Sequence, residues 1–228
     1  MFGKVLKSAR FFGAALFLCA LASRPAAAHP HVWIDMQTDL VMGADNTLDA
    51  ITITWTFDEF YTAFAVEEFK KQPDGSFAPK DLAALLDTNL ENLKEWDYFT
   101  QIKQSGKSLK LATAKPVGSS YDAKLGRLTV TFTVPLAKPV TPTPAEPVLL
   151  RIYDPTYYIS IDYIKQTPAQ IPIRLTGTPA TACSFTSKIP NAESVWAGLP
   201  ASAFSGADSG TGLGSNFAAT VTLTCNKG

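Results

Sequence analysis

The chain holds two histidines, and both fall in His29-Pro30-His31, directly after the small-residue run Ala26-Ala27-Ala28. Cleavage after Ala28 would make His29 the first residue of the exported protein. Its α-amine, with a reference pKa of about 8, would then sit beside its own imidazole and two residues from a second one. Three nitrogen donors at one chain end can capture a transition metal, and neutral imidazole suits zinc, nickel, cobalt or copper. Such binding weakens below about pH 6, as imidazoles and the amine take protons. Pro30 excludes one familiar arrangement. The amino-terminal copper/nickel chelate with histidine third needs deprotonated backbone amides at positions two and three, and proline has no N–H to lose. A histidine brace, in which the amine and imidazole of His29 bind copper with a second imidazole, stays open. A metal-free binding or structural β domain with incidental histidines is the third alternative.

Carboxylates must come from the elements around this chain end. Val32, Ile34 and Met36 alternate with His31, Trp33, Asp35 and Gln37, the pattern of a half-buried strand. Turn-forming Gly43-Ala44-Asp45-Asn46 follows. Ile51, Ile53, Trp55 and Phe57 then alternate with Thr52, Thr54, Thr56 and Asp58. A hairpin results, and coincident apolar faces require each cross-strand pair to join an even to an odd residue. A regular turn centred between Ala44 and Asp45 sets Val32 opposite Phe57, Ile34 opposite Trp55 and His31 opposite Asp58. Asp58 is then a carboxylate placed to ligate the same metal ion or, alternatively, the N-cap of a following helix. Asp35 lies about 13 Å beyond His31 on the same face, too far for direct ligation. Glu59, and Asp154 in Tyr153-Asp154-Pro155-Thr156-Tyr157-Tyr158, are candidate fourth ligands. Asp154 could equally cap its own turn, or a tyrosine hydroxyl of that segment could reach the metal. Trp33, Trp55 and Phe57 read as packing residues, and Asp162 as a solvated strand residue.

Other chemistries find little support. The chain has no Gly-x-Ser-x-Gly elbow, no phosphate-binding glycine loop and no Cys-x-x-Cys pair. A Ser-His-Asp triad would have to be built from the chain end.

Residues 1–28 read as a secretory signal peptide: basic Lys4, Lys7 and Arg10, then an apolar run over 11–21, then small residues. That run is about half a membrane span, and no second long run follows, so the protein is not membrane-spanning after cleavage. An uncleaved anchor is the alternative. Removing the leader takes four of the 20 basic residues and none of the 20 acidic ones. The net charge of the remainder is about −4, which argues against nucleic acid as a partner. Cys183 and Cys225 remain in an oxidising compartment, so a disulfide is the simplest pairing; a two-thiolate metal site competes.

Residues 29–228 are expected to form a single β-rich domain, which a proline-rich loop over 135–147 could divide into two subdomains. A helix is expected from Phe60 to Lys71 with Phe60, Phe64 and Phe69 as its stripe. A second spans 81–93 on Leu82, Leu85, Leu86 and Leu90. Strands are expected over 96–104, 107–114, 127–136, 148–153, 157–164, 171–176, 183–188 and 217–225. Those over 148–153 and 157–164 read as a hairpin across Asp154-Pro155-Thr156. Residues 201–216 are rich in glycine and serine and read as a mobile connection. The fold class is mainly β (α+β): antiparallel sheets, sandwich-like, with two helices after the first hairpin.

The segments His29-Pro30-His31-Val32-Trp33-Ile34-Asp35, Trp55-Thr56-Phe57-Asp58-Glu59-Phe60-Tyr61 and Tyr153-Asp154-Pro155-Thr156-Tyr157-Tyr158 together resemble one family. It is the secreted bacterial domain-of-unknown-function family 1007. Its members are commonly labelled periplasmic components of an uncharacterised ABC-type transport system and often accompany nickel/cobalt permeases. The resemblance implies periplasmic localisation and divalent-metal handling beside a membrane metal permease or ABC-type transporter.

Overall fold

The computed structural model describes residues 30–167, 170–177, 182–200 and 212–226. The expected leader, His29 and most of the glycine- and serine-rich connection lie outside the described residues. In chain order the strands are β1 (Val32–Met42), β2 (Leu48–Phe57), β3 (Thr100–Gln104), β4 (Lys107–Ser108), β5 (Lys115–Asp122), β6 (Arg127–Val140), β7 (Val148–Ile152), β8 (Ile159–Tyr163), β9 (Ile173–Gly177), β10 (Cys183–Lys188) and β11 (Thr220–Cys225). The α-helices are α1 (Glu59–Ala65), α2 (Pro79–Leu93), α3 (Ala192–Gly198) and α4 (Gly214–Phe217).

Alternation of apolar and polar side chains builds the central pair. β1 buries Val32, Ile34, Met36, Leu40 and Met42, and leaves His31 and Trp33 exposed at its start. β2 pairs with it antiparallel, as the alternation predicts, but one pleat further along: Ile34 opposes Phe57 and Met36 opposes Trp55. The cause lies in the turn. A 3-10 turn at Ala44–Asn46, with Asp45 and Asn46 at positive φ, is closed by Gly43 N–H donating to Thr47 O at 2.8 Å. Met42 then opposes Leu48 while Val41 opposes Ala50, so Asp49 is an extra residue. The bulge restores the even-to-odd pairing that a common core face demands, and the register moves by two. His31 therefore does not oppose Asp58.

One sheet runs β5-β6-β2-β1, and β1 is flanked on its other side by β8 along its first half and β9 along its second. Both flanking strands run parallel to β1. The other sheet is antiparallel, in the order β10-β11-β7-β3-β4. Apolar residues of both sheets and of α2 form one buried cluster, so the mainly β, sandwich-like α+β architecture is confirmed. Cys183 and Cys225 face each other across β10 and β11 and are disulfide-bonded, which excludes the two-thiolate site. Among the described residues no helix is long and apolar enough to cross a membrane.

Several local expectations are corrected. α1 ends at Ala65, and its Phe60 and Phe64 are 78% and 74% exposed rather than buried. Thr62 and Val66 face inward instead, with Thr62 Oγ1 accepting Leu128 N–H at 3.1 Å. Residues 94–99 form a 3-10 turn with Asp97 and Tyr98 in the left-handed region, so β3 begins only at Thr100. β4 has two residues, and β5, whose polar, glycine-containing sequence carries no strand pattern, forms at Lys115–Asp122. β6 runs through Pro135 and Pro139 to Val140, which confines the proline-rich loop to 141–147. The expected hairpin over 148–164 is absent, because β7 and β8 lie in different sheets.

Candidate functional site

All three sequence segments meet at the amino-terminal end of β1. Asp58 ends β2 and caps α1: its Oδ1 accepts the Phe60 and Tyr61 N–H groups, both at 2.9 Å. Its Oδ2 accepts Trp33 N–H at 2.8 Å, while its own N–H donates to Trp33 O at 2.9 Å. Asp58 thus clips the start of α1 to β1, two residues from His31. Its carboxylate already holds three donors, which is the N-cap role with an added cross-strand bond. Asp58→Ala is expected to lower stability by about 2 kcal/mol, from a lost cap and an orphaned Trp33 N–H. Urea unfolding checks this; a midpoint unchanged from wild type would refute the clip. Burial, and after it the Asp58 carboxylate, holds the Tyr61 hydroxyl above its usual pKa. Glu59, in the first turn of α1, is exposed.

His31 is exposed, donates its N–H to Tyr158 O at 2.8 Å, and stacks on the Tyr158 ring with centroids 4.7 Å apart. The Asp154 turn delivers Tyr158 to that position. Asp154 is 4% exposed. Its Oδ1 accepts Thr156 N–H at 2.9 Å, its Oδ2 accepts Ile159 N–H at 3.0 Å, and the Thr156 hydroxyl lies 2.9 Å from both oxygens. The turn is braced from below. Tyr157, at a φ of 59°, stacks on Phe217 with centroids 4.0 Å apart. A Cβ on Gly214 would meet Asp154 O at 1.9 Å, so only glycine fits there.

Asp35 is taken up in an ion pair across the sheet. It pairs with Arg127 at 2.8 Å, and Arg127 also donates to Thr56 O and Phe57 O, tying β1, β2 and β6 together. Asp162 stands opposite Asp35 across the parallel strands and accepts the Ser160 hydroxyl at 2.6 Å.

The structure thus brings His31, Trp33, Asp58 and Tyr158 together, and buries Asp154 behind them as the residue that shapes the turn. Trp33, read as packing, is 49% exposed. Tyr158 was legible only as one of several tyrosines. Its identity depends on β8 running parallel beside β1, a non-local fact that strand patterns do not carry. Among the described residues no group of three or more His, Cys, Asp or Glu side chains is placed to hold a metal ion. His31 and Glu59 are the exposed candidates there, and a fuller donor set requires His29.

Comparison with known proteins supports the family that the three segments resemble. The chain is 27% identical over 140 residues to an uncharacterized protein of Haemophilus influenzae, a match covering 61% of this chain and 65% of that protein's length. It is 30% identical over 101 residues to an uncharacterized 15.5 kDa protein of Spirochaeta aurantia, covering 44% of this chain and 69% of that one. The family described as "Protein of unknown function (DUF1007)" matches residues 14–225. With nearly its whole length matched, the chain belongs to that family.

Proposed function

We propose that this protein is an exported accessory component of a metal transport system that binds a divalent transition metal in the periplasm. In this reading the leader ends at Ala28, and the imidazoles of His29 and His31 are the primary ligands for zinc, nickel or cobalt. The α-amine of His29 is a further donor, and Glu59 is the carboxylate assigned beside them. Asp58 and Asp154 serve the site through the backbone, by holding the start of α1 and the Tyr158 turn against β1.

The observation that carries this reading is the convergence of three separated segments on the strand end that bears His31. Non-local pairing spent on positioning one exposed imidazole fits a site better than it fits an incidental chain end. Exposed Trp33, Phe60 and Tyr158 lie in the same three segments, and exposed Phe64 follows one turn further along α1, which suits a surface that meets a membrane metal permease or ABC-type transporter. The disulfide suits an oxidising compartment.

The test is metal content. Protein exported from its own leader and purified without chelating resin is incubated with zinc, nickel, cobalt and copper, and analysed for bound elements. Wild type is expected to retain one ion per chain and His31→Ala to lose it, while Asp154→Asn keeps it. Copper lost on inserting one alanine before His29 would favour a histidine brace over a carrier site. No retained ion in wild type, or full retention in His31→Ala, overturns the reading.

A further inference from the structure

A second feature lies on the buried face of the sheet, and His31 is not among the residues that line it. A cavity of about 160 Å³ opens between the β1-β2-β6 sheet and α2. Its walls include Ile34, Trp55, Phe57, Leu86, Phe99 and Phe132, and among the described residues no charged side chain lines it. On its solvent side stand half-buried Asn89 and exposed Asn92, with Tyr61 of α1. Trp55 is 2% exposed, and its indole N–H has no hydrogen-bond partner among the described residues. The ring is held in place, edge-on to Phe132 at 4.9 Å and to Phe57 at 6.4 Å between centroids. Buried donors are paired in nearly all proteins, so an orphan on a cavity wall asks for an acceptor inside.

We propose that this cavity is a binding site for a small, uncharged, single-ring apolar molecule carrying one hydrogen-bond acceptor, to which the Trp55 indole N–H donates. Size sets the first limit, since an apolar cavity of about 150 Å³ holds a benzene ring. Wall chemistry sets the second: an ion brought among these side chains would lose its hydration with no countercharge in return. The indole N–H sets the third, because it offers one donor and no acceptor. The site is independent of the metal reading and can be tested on metal-free protein.

The probes are acetophenone, which has a ring and a carbonyl acceptor, and ethylbenzene, which has nearly the same shape and no acceptor. Nitrogen-15 spectra resolve the indole N–H groups of the four tryptophans, and sequential assignment of the wild-type protein identifies that of Trp55. Both probes are expected to shift the Trp55 signal saturably, acetophenone at about five- to tenfold lower concentration. Filling the space with Leu86→Phe should abolish both shifts. The wild-type titration needs no variant to fold, so it decides the matter alone. Equal affinities, or no saturable shift up to the solubility of the probes, overturn the proposal. So does a long-lived water that stays on the Trp55 N–H with probe present.

Discussion

Asp154→Ala is expected to destabilise the protein by about 3–5 kcal/mol. The side chain is nearly inaccessible to solvent, and its carboxylate satisfies the Thr156 and Ile159 N–H groups and the Thr156 hydroxyl. Truncation leaves two backbone donors unpaired, each costing about 1–3 kcal/mol. No new turn can form cheaply, because Tyr157 is held at positive φ against Phe217 and Gly214 presses on the Asp154 carbonyl. Asp154→Asn keeps one acceptor oxygen and presents an amide to the other donor, so about half of the loss is expected. Urea midpoints measure both, and the ring-current shift of the His31 imidazole reports whether Tyr158 still stacks on it. A variant within about 0.5 kcal/mol of wild type would mean the turn stands without its carboxylate. If Asp154 instead served as a metal ligand, Asp154→Asn would lose metal with little change in stability. A turn-holding residue gives the reverse.

Local periodicity carried much of the fold. The alternation in β1 and β2 and the Leu82, Leu86, Leu90 spacing of α2 place those side chains in the core, as expected. Periodicity also shows where it stops. In α1, Phe60 and Phe64 make one stripe at i, i+4, and Thr62 and Val66 make another on the opposite side. Hydrophobicity favours the phenylalanines. The protein buries the other stripe, because the Thr62 hydroxyl caps the Leu128 N–H at the start of β6. A buried donor must be satisfied, and the Thr62 face of α1 is the one that meets that need. The bulge at Asp49 is likewise silent in the pattern, since an aspartate after a turn reads the same bulged or paired. The 148–164 segment looks like a hairpin because two apolar runs flank Asp-Pro-Thr. Asp154 accepts a bond from Ile159, five residues on, and the wide turn sends β8 to the other sheet.

The candidate site follows the same logic. Parity alone put Asp58 on the histidine side of the hairpin, and the structure leaves it beside Trp33, near His31. What parity could not weigh was competition for the carboxylate. A helix start exposes unpaired N–H groups, and an aspartate at that position is taken up by them first. Asp154 meets the same demand in its turn. The acids nearest the histidines in sequence logic thus became the rivets of the backbone around them, and exposed Glu59 is left as the carboxylate without such work.

Replacing both Cys183 and Cys225 by alanine is expected to cost about 4 kcal/mol. The bond closes a loop with a sequence separation of 42, and the chain-entropy description assigns about that much to such a loop. Position enlarges the consequence. β10 is the outermost strand of its sheet, held by β11 on one side alone, and the disulfide joins the directly opposed residues at the end of that pair. Without it the unfolded chain gains freedom while the folded state keeps most of its core, because Phe185 is only partly buried on β10. Loss should therefore begin locally. Hydrogen exchange is expected to show β10 amides losing protection in the double variant before those of β2 and β6, whose core residues are almost fully buried. Cys225 is itself buried, so reductant should act on the native protein slowly and at a rate that rises with denaturant. Identical urea midpoints for wild type and the double variant would remove the disulfide from the account of stability. Uniform loss of protection across both sheets would show that β10 folds and unfolds with the whole.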